Sequence, residues 1–186
     1  MSILLMPNDC VLLLVDLQAG LAFATGSHDR QIIRSNAVAV ARTAKAFDVP
    51  VVVSTSASKV YSGPLMPPLQ EVLPGTTAIE RRNMNAWEDD ASRAAIEATG
   101  KRALIVCGLL TEACVSFPVL SALADGYRVH VVGDACGGLT SMSLQRMQSA
   151  GATVTSWLQL LLEFQRIGQD ADDLFVGKSL RPTSVS

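Results

Sequence analysis

A chain of 186 residues fits one domain, and at that size roughly 70% of the unfolded surface is buried on folding, so no disulfide framework or metal staple is required. A formal charge of −2 without a basic run argues against a nucleic-acid binder and against a protein held on an anionic membrane. Charged residues make up 17% of the chain, against a usual share of about 25%, and apolar ones 49%, which points to apolar surface hidden between subunits of a homo-oligomer.

The run Cys10 to Val15 (CVLLLV) is continuous and apolar, the pattern of a strand buried on both faces, and it stops at Asp16. From Asp29 to Phe47 the residues Ile33, Ala37, Val40, Ala41, Ala44 and Phe47 recur at helical spacing and predict an amphipathic helix. Pro50 leads a second buried strand, VVVST. A Ser-, Gly- and Pro-rich loop follows from Ser54 to Gly75, with a short helical turn at Leu69 to Leu73, and then a weaker strand candidate at Thr76 to Glu80. Asp89 to Thr99 reads as a helix closed by Gly100, and Ala103 to Cys107 as the next strand. Glu112 to Ala124 is a helix closed by Gly126, Arg128 to Val132 a strand, Ser141 to Ala150 a helix ended by Gly151, Ala152 to Thr155 a last strand and Trp157 to Ile167 a final helix.

Strands alternating with helices require parallel pairing and right-handed crossovers. The expected fold is therefore α/β, a three-layer αβα doubly wound, Rossmann-like sheet of about six parallel strands. Residues 1–168 would form the single domain and 169–186 a polar C-terminal tail, loose or bound to a partner. Four cysteines at positions 10, 107, 114 and 136, with no C-x-x-C pair, fit free thiols in a reducing, cytoplasmic setting. The opening MSILLMPNDC lacks the features of a secretory signal, and no apolar run approaches the ~20 residues of a membrane span, so no membrane partner is expected.

In doubly wound sheets ligands bind beyond the carboxyl ends of the strands, which directs attention to Asp16, Ser54 to Ser56, Arg81 with Arg82, Gly108 to Cys114 and Asp134 to Gly138. The segment G-L-L-T-E-A-C leaves a strand and enters a helix, with Thr111 placed as N-cap and Cys114 in the first turn. Unpaired N–H groups and the helix dipole there favour an anion, lower a thiol pKa and could hold an oxyanion. Cys114 is thus either a nucleophile or a small hydrophobe of the core. Pro118 should distort that helix. Asp16 either caps a turn or acts as acid and base. Arg81 or Arg82 could hold it ionised, or form a plain salt bridge.

Other chemistries lack their signatures. DLQAG after the first strand is no dinucleotide loop, the pair Gly137-Gly138 is isolated, and G-x-S-x-G is missing. His28 and His130 stand in no ligand pattern, so neither a metal nor any other cofactor is expected, and His130 reads as a buried strand residue.

The stretches V-D-L-Q-A-G (Val15 to Gly20), R-x-N-M-N-A-W (Arg81 to Trp87), G-L-L-T-E-A-C-V-S-F-P (Gly108 to Pro118), Gly133-Asp134-Ala135 and Arg146 to Ala152 resemble the isochorismatase-like cysteine hydrolases, most closely their YcaC-like branch. The likeness spans about Asp9 to Arg166. It implies a triad of Asp16 as base, Arg81 as cation (with Arg82 as rival) and Cys114 as nucleophile. It also implies a non-proline cis bond near Leu110-Thr111, an oxyanion hole from the N–H groups of Thr111 and Cys114, and a pocket lined by Phe23, Asn83, Asn85 and Trp87. A second acid is missing between Asp16 and Asp29, where metal-dependent nicotinamidases of this type carry one, and the cysteine is one that true isochorismatases lack. The implied activity is hydrolysis of a C–N, amide-type bond of a small molecule through a thioester acyl-enzyme. The alternative is a non-catalytic binding, scaffold or redox-sensing protein on the same fold.

Overall fold

A computed structural model of the chain describes residues 4–166. The tail expected over 169–186 and the Ile167 end of the last helix lie outside the described residues. Six strands pair in parallel: β1 (Cys10–Val15), β2 (Val51–Ser56), β3 (Ile79–Arg81), β4 (Ala103–Gly108), β5 (Arg128–Val132) and β6 (Thr153–Thr155), in the spatial order β3-β2-β1-β4-β5-β6. The order reverses between β1 and β4. That is the switch point where such sheets open a crevice at their carboxyl edge. β1 and β4 are buried at every position because helices cover both faces, which is why they read as unbroken apolar runs.

Around the sheet lie α1 (Ala19–Ala22), α2 (Arg30–Ala46), α3 (Pro67–Val72), α4 (Asp90–Glu97), α5 (Ser116–Ala124), α6 (Met142–Ser149) and α7 (Trp157–Gln165). α2 buries Ile33, Ala37, Val40, Ala41 and Ala44, the stripe its spacing predicts. Asp29, Asp89 and Ser156 cap α2, α4 and α7 by accepting from backbone N–H groups of the first turn. α1 follows so soon after β1 that four residues leave no period to read. β3 starts at Ile79, three residues later than Thr76. No helix among the described residues is long and apolar enough to cross a membrane.

The connection from β4 to α5 departs from expectation. It opens as a π-helical turn, Thr111–Val115, and becomes α-helical only at Ser116. Leu110 occupies the cap position without a side-chain bond, so Thr111 is no N-cap. Its carbonyl instead accepts from the Ser116 hydroxyl at 2.6 Å, and its N–H donates to the Gly137 carbonyl at 2.9 Å. The widened turn also accommodates Pro118, which falls in the first turn of α5, where N–H groups have few helical acceptors to lose.

Candidate active site

The register sets the strand ends level: Val15 lies beside Ser54 on one side and Gly108 on the other, and Ser56 lies beside Arg81. The residues that follow therefore converge on one edge. Gly108 is held at φ 156°, and a Cβ there would stand 2.0 Å from the Val15 carbonyl oxygen, so only glycine lets β4 turn away this close to β1.

Asp16 follows β1 at φ 51° and is fully buried. Arg81 ends β3, equally buried, and grips Asp16 in a two-pronged pair: Nη1 donates to Oδ1 at 2.7 Å and Nη2 to Oδ2 at 2.6 Å. Nη1 also reaches the Ser54 hydroxyl at 3.4 Å and Nη2 the Met84 carbonyl at 3.3 Å. Arg82, the rival cation, is exposed, so Arg81 is the one beside Asp16. A fork of this kind fixes the carboxylate's orientation as well as its charge.

The Cys114 thiol lies beside Asp16, near enough to feel both its charge and its hydrogen-bonding oxygens. Burial, the Asp16 charge and those oxygens push the thiol up to about 11, against the pull of the Arg81 cation and the Leu110 N–H. The expectation of a thiolate stabilised by a helix terminus is thus overturned. Desolvation disfavours the anion, and the adjoining group is a carboxylate that wants the proton near it. The thiol therefore keeps its proton at neutral pH, with the Asp16 carboxylate beside it.

The cis peptide bond joins Leu109 to Leu110, one residue before the expected place. Correspondingly the N–H aimed at the Cys114 sulfur is that of Leu110, whereas the Thr111 N–H is committed to Gly137. Leu110 is not singled out by the sequence, since nothing in L-L-T marks which peptide turns.

The pocket residues separate. Phe23, three-quarters exposed just after α1, stands at the carboxyl end of the sheet with the Arg30 guanidinium 5.2 Å from its ring. Asn83 is exposed and donates to the Glu88 carbonyl. Asn85 and Trp87 are scaffold. Asn85 bridges the Ser121 hydroxyl and the Trp87 N–H, while the Trp87 indole donates to Asp125 and packs edge-on against Tyr127. They tie this loop to α5. Gln18, fully buried and passed over in the sequence, donates to the Ser56 and Gly63 carbonyls and accepts from the Ser56 N–H, stapling the loop after β1 to the loop after β2.

The described residues contain six large apolar side chains that are 68–81% exposed: Phe23, Val60, Tyr61, Met84, Leu139 and Met142. All lie in segments that follow the carboxyl ends of β1, β2, β3 and β5, around the same edge as Cys114.

The chain is similar to known proteins over most of its length. The isochorismatase domain matches residues 10–159. The probable hydrolase YcaC of Escherichia coli is 38% identical over 164 residues, 86% of this chain and 79% of that one. The crystal structure of that protein, described as an octameric hydrolase of unknown specificity, superposes with a TM-score of 0.87 at 36% identity, covering 96% of this chain and 88% of that one. YcaC from Pseudomonas aeruginosa, solved with hexane-2,5-diol and covalent acrylamide, gives a TM-score of 0.85 at 37% identity, covering 89% and 85%.

Proposed function

The chain belongs to the isochorismatase family and is one of its hydrolases, and from that premise we propose that it cleaves a C–N, amide-type bond of a small molecule with Cys114 as nucleophile. The observation that carries this reading is the placement of the half-buried Cys114 thiol beside a buried Asp16 carboxylate that Arg81 holds by both oxygens. A thiol, a base to receive its proton and a cation orienting that base are the parts nucleophilic catalysis requires.

In the proposed course Asp16 takes the thiol proton as sulfur attacks the carbonyl carbon. The charge developing on the carbonyl oxygen is held by the N–H groups of Leu110 and Cys114, in place of the Thr111 N–H expected from sequence. The carboxyl of Asp16 then gives that proton to the departing amine, leaving a thioester. Asp16, ionised again, takes a proton from water as the hydroxide adds. Collapse of the second tetrahedral intermediate releases the acid, and Asp16 returns the proton to sulfur. The covalent acrylamide of the Pseudomonas aeruginosa relative supports a small amide as the class of ligand.

A homo-oligomer belongs to the same proposal. The Escherichia coli relative is octameric, and the exposed apolar rim described above suits a covered surface. Light scattering giving a monomer mass would remove that part. The activity is tested by screening short aliphatic amides and nitriles with mass-spectrometric trapping of the intermediate. An acyl mass on Cys114, absent in Cys114→Ala along with turnover, is the expected result. Full turnover by Cys114→Ala would overturn the mechanism.

A further inference from the structure

The pair Gly137-Gly138 and the acid of T-E-A-C are left unused by the mechanism, yet the structure joins them. The Glu112 carboxylate, two residues before the nucleophile, accepts from the Leu139 N–H at 2.7 Å and the Thr140 N–H at 3.1 Å. The same loop is tied to the nucleophile's turn by backbone, since Thr111 N–H donates to Gly137 O at 2.9 Å and Gly137 N–H to Gly108 O at 3.0 Å. On its other side it meets the loop after α1, where Gly26 and Ser27 N–H donate to Gly138 O at 2.8 and 2.9 Å and Gly138 N–H to the Ser27 hydroxyl at 3.1 Å.

Side chains here would have to push their neighbours aside. A Cβ on Gly137 would sit 2.7 Å from both Ile33 Cδ1 and Leu109 Cδ2, and one on Gly138 would sit 2.3 Å from a Glu112 carboxylate oxygen. The diglycine lets the loop lie close enough for Glu112 to close on it from the nucleophile's side. The peptide between Leu109 and Leu110 and the π-helical turn after it are thereby fixed from both ends, by β4 and by this loop.

We propose that Glu112 is a positioning residue which, by clasping the Gly137–Thr140 loop, holds the N–H groups of the Leu110–Cys114 turn where the substrate's oxyanion forms. The inference rests on Cys114 being the nucleophile. Glu112 acts through backbone geometry, and a neutral acceptor of the same shape should largely replace it.

Two electrophiles separate an effect on the oxyanion from an effect on the thiol. Iodoacetamide is displaced at its methylene carbon: the Cys114 thiolate forms the S–C bond, iodide leaves with the electron pair, and no charge builds on the amide oxygen. Acrylamide accepts sulfur at its terminal carbon, and the C=C electrons move onto the amide oxygen as an enolate. The proton that Asp16 took from the thiol then goes to the α-carbon. The ratio of the acrylamide rate to the iodoacetamide rate at Cys114 therefore reads the N–H groups facing the oxyanion.

In Glu112→Ala, amide hydrogen exchange at Leu139 and Thr140 should accelerate and the rate ratio should fall about tenfold, a fraction of the ~10²–10³ that removal of a whole donor costs. Glu112→Gln should stay within about threefold of the wild type, and Gly138→Ala should move with Glu112→Ala. Unchanged exchange in Glu112→Ala would show that the carboxylate does not hold the loop. Faster exchange with an unchanged ratio would show that the loop does not position the hole. Either result overturns the proposal. Adducts of the wild type mapping away from Cys114 would overturn the nucleophile assignment itself, a failure visible before any variant is made.

Discussion

Cys107 and Cys114 stand seven residues apart on one connection, and burial raises both thiols. Cys107 lies inside β4 with Cys136 nearby, and Cys136 is pushed up to about 12, while Cys114 at the carboxyl edge reaches about 11. Acidity alone therefore barely distinguishes the core thiols from the candidate nucleophile. The difference is company. Cys114 has a carboxylate in contact, a guanidinium behind it and a backbone N–H aimed at its sulfur, whereas Cys107 and Cys136 are enclosed and have no base in hydrogen-bonding contact. Burial makes the core thiols inert, and at the edge the same desolvation favours a proton that moves only when a substrate is attacked.

The sharpest way to break this contrast is Cys114→Ala, which should lower turnover by at least about 10⁴-fold, while Cys136→Ala should leave the chemical step within a few fold. Comparable losses in steady-state assays of the two variants would deny Cys114 its special place. Asp16→Asn comes next, with a loss of roughly 10²–10⁴ in turnover. It should also cost about 3–5 kcal/mol of stability in denaturant titration, because the buried Arg81 loses its partner.

The same variant should show slower iodoacetamide labelling of Cys114 at pH 8, because the base that takes the thiol proton is gone, although the thiol itself is relieved of the Asp16 charge that raises it. Faster labelling would mean that Asp16 only holds the thiol protonated and does not serve as its base. A smaller effect concerns alkali. Thiols raised from 9.0 to about 11 or 12 in the folded state add stability that is complete below pH 9 and is lost as the pH climbs through 11 to 12. The melting temperature should fall over that window, less steeply in Cys114→Ala. An equal fall in both proteins would deny Cys114 its share. Least is expected of Trp87→Phe: roughly 0.5–1.5 kcal/mol from the lost bond to Asp125, with turnover within about twofold. A large rise in KM there would return Trp87 to the pocket wall.

Much was legible in the chain because the signals were local. The unbroken run CVLLLV needs no partner to declare a doubly buried strand, and glycines after three helices mark where their last turns close. Asp16 and Cys114 follow from the rule that ligands gather at strand ends. Less local features failed. The turn at Thr111 could not be read because its geometry answers to Gly137, 26 residues on. Nor does the sequence show that Asn85 and Trp87 take Ser121 and Asp125 of the α5 segment as partners.

By itself the sequence determined the alternation of strands and helices, hence a parallel doubly wound sheet, and the types of residue at its carboxyl edge, because periodicity and strand ends are properties of neighbouring residues. Tertiary structure decided which arginine faces Asp16, which N–H faces the sulfur and whether the thiol is acidic. Each of these depends on distance and desolvation among groups from β1, β3 and the turn after β4, which only the packed sheet brings together.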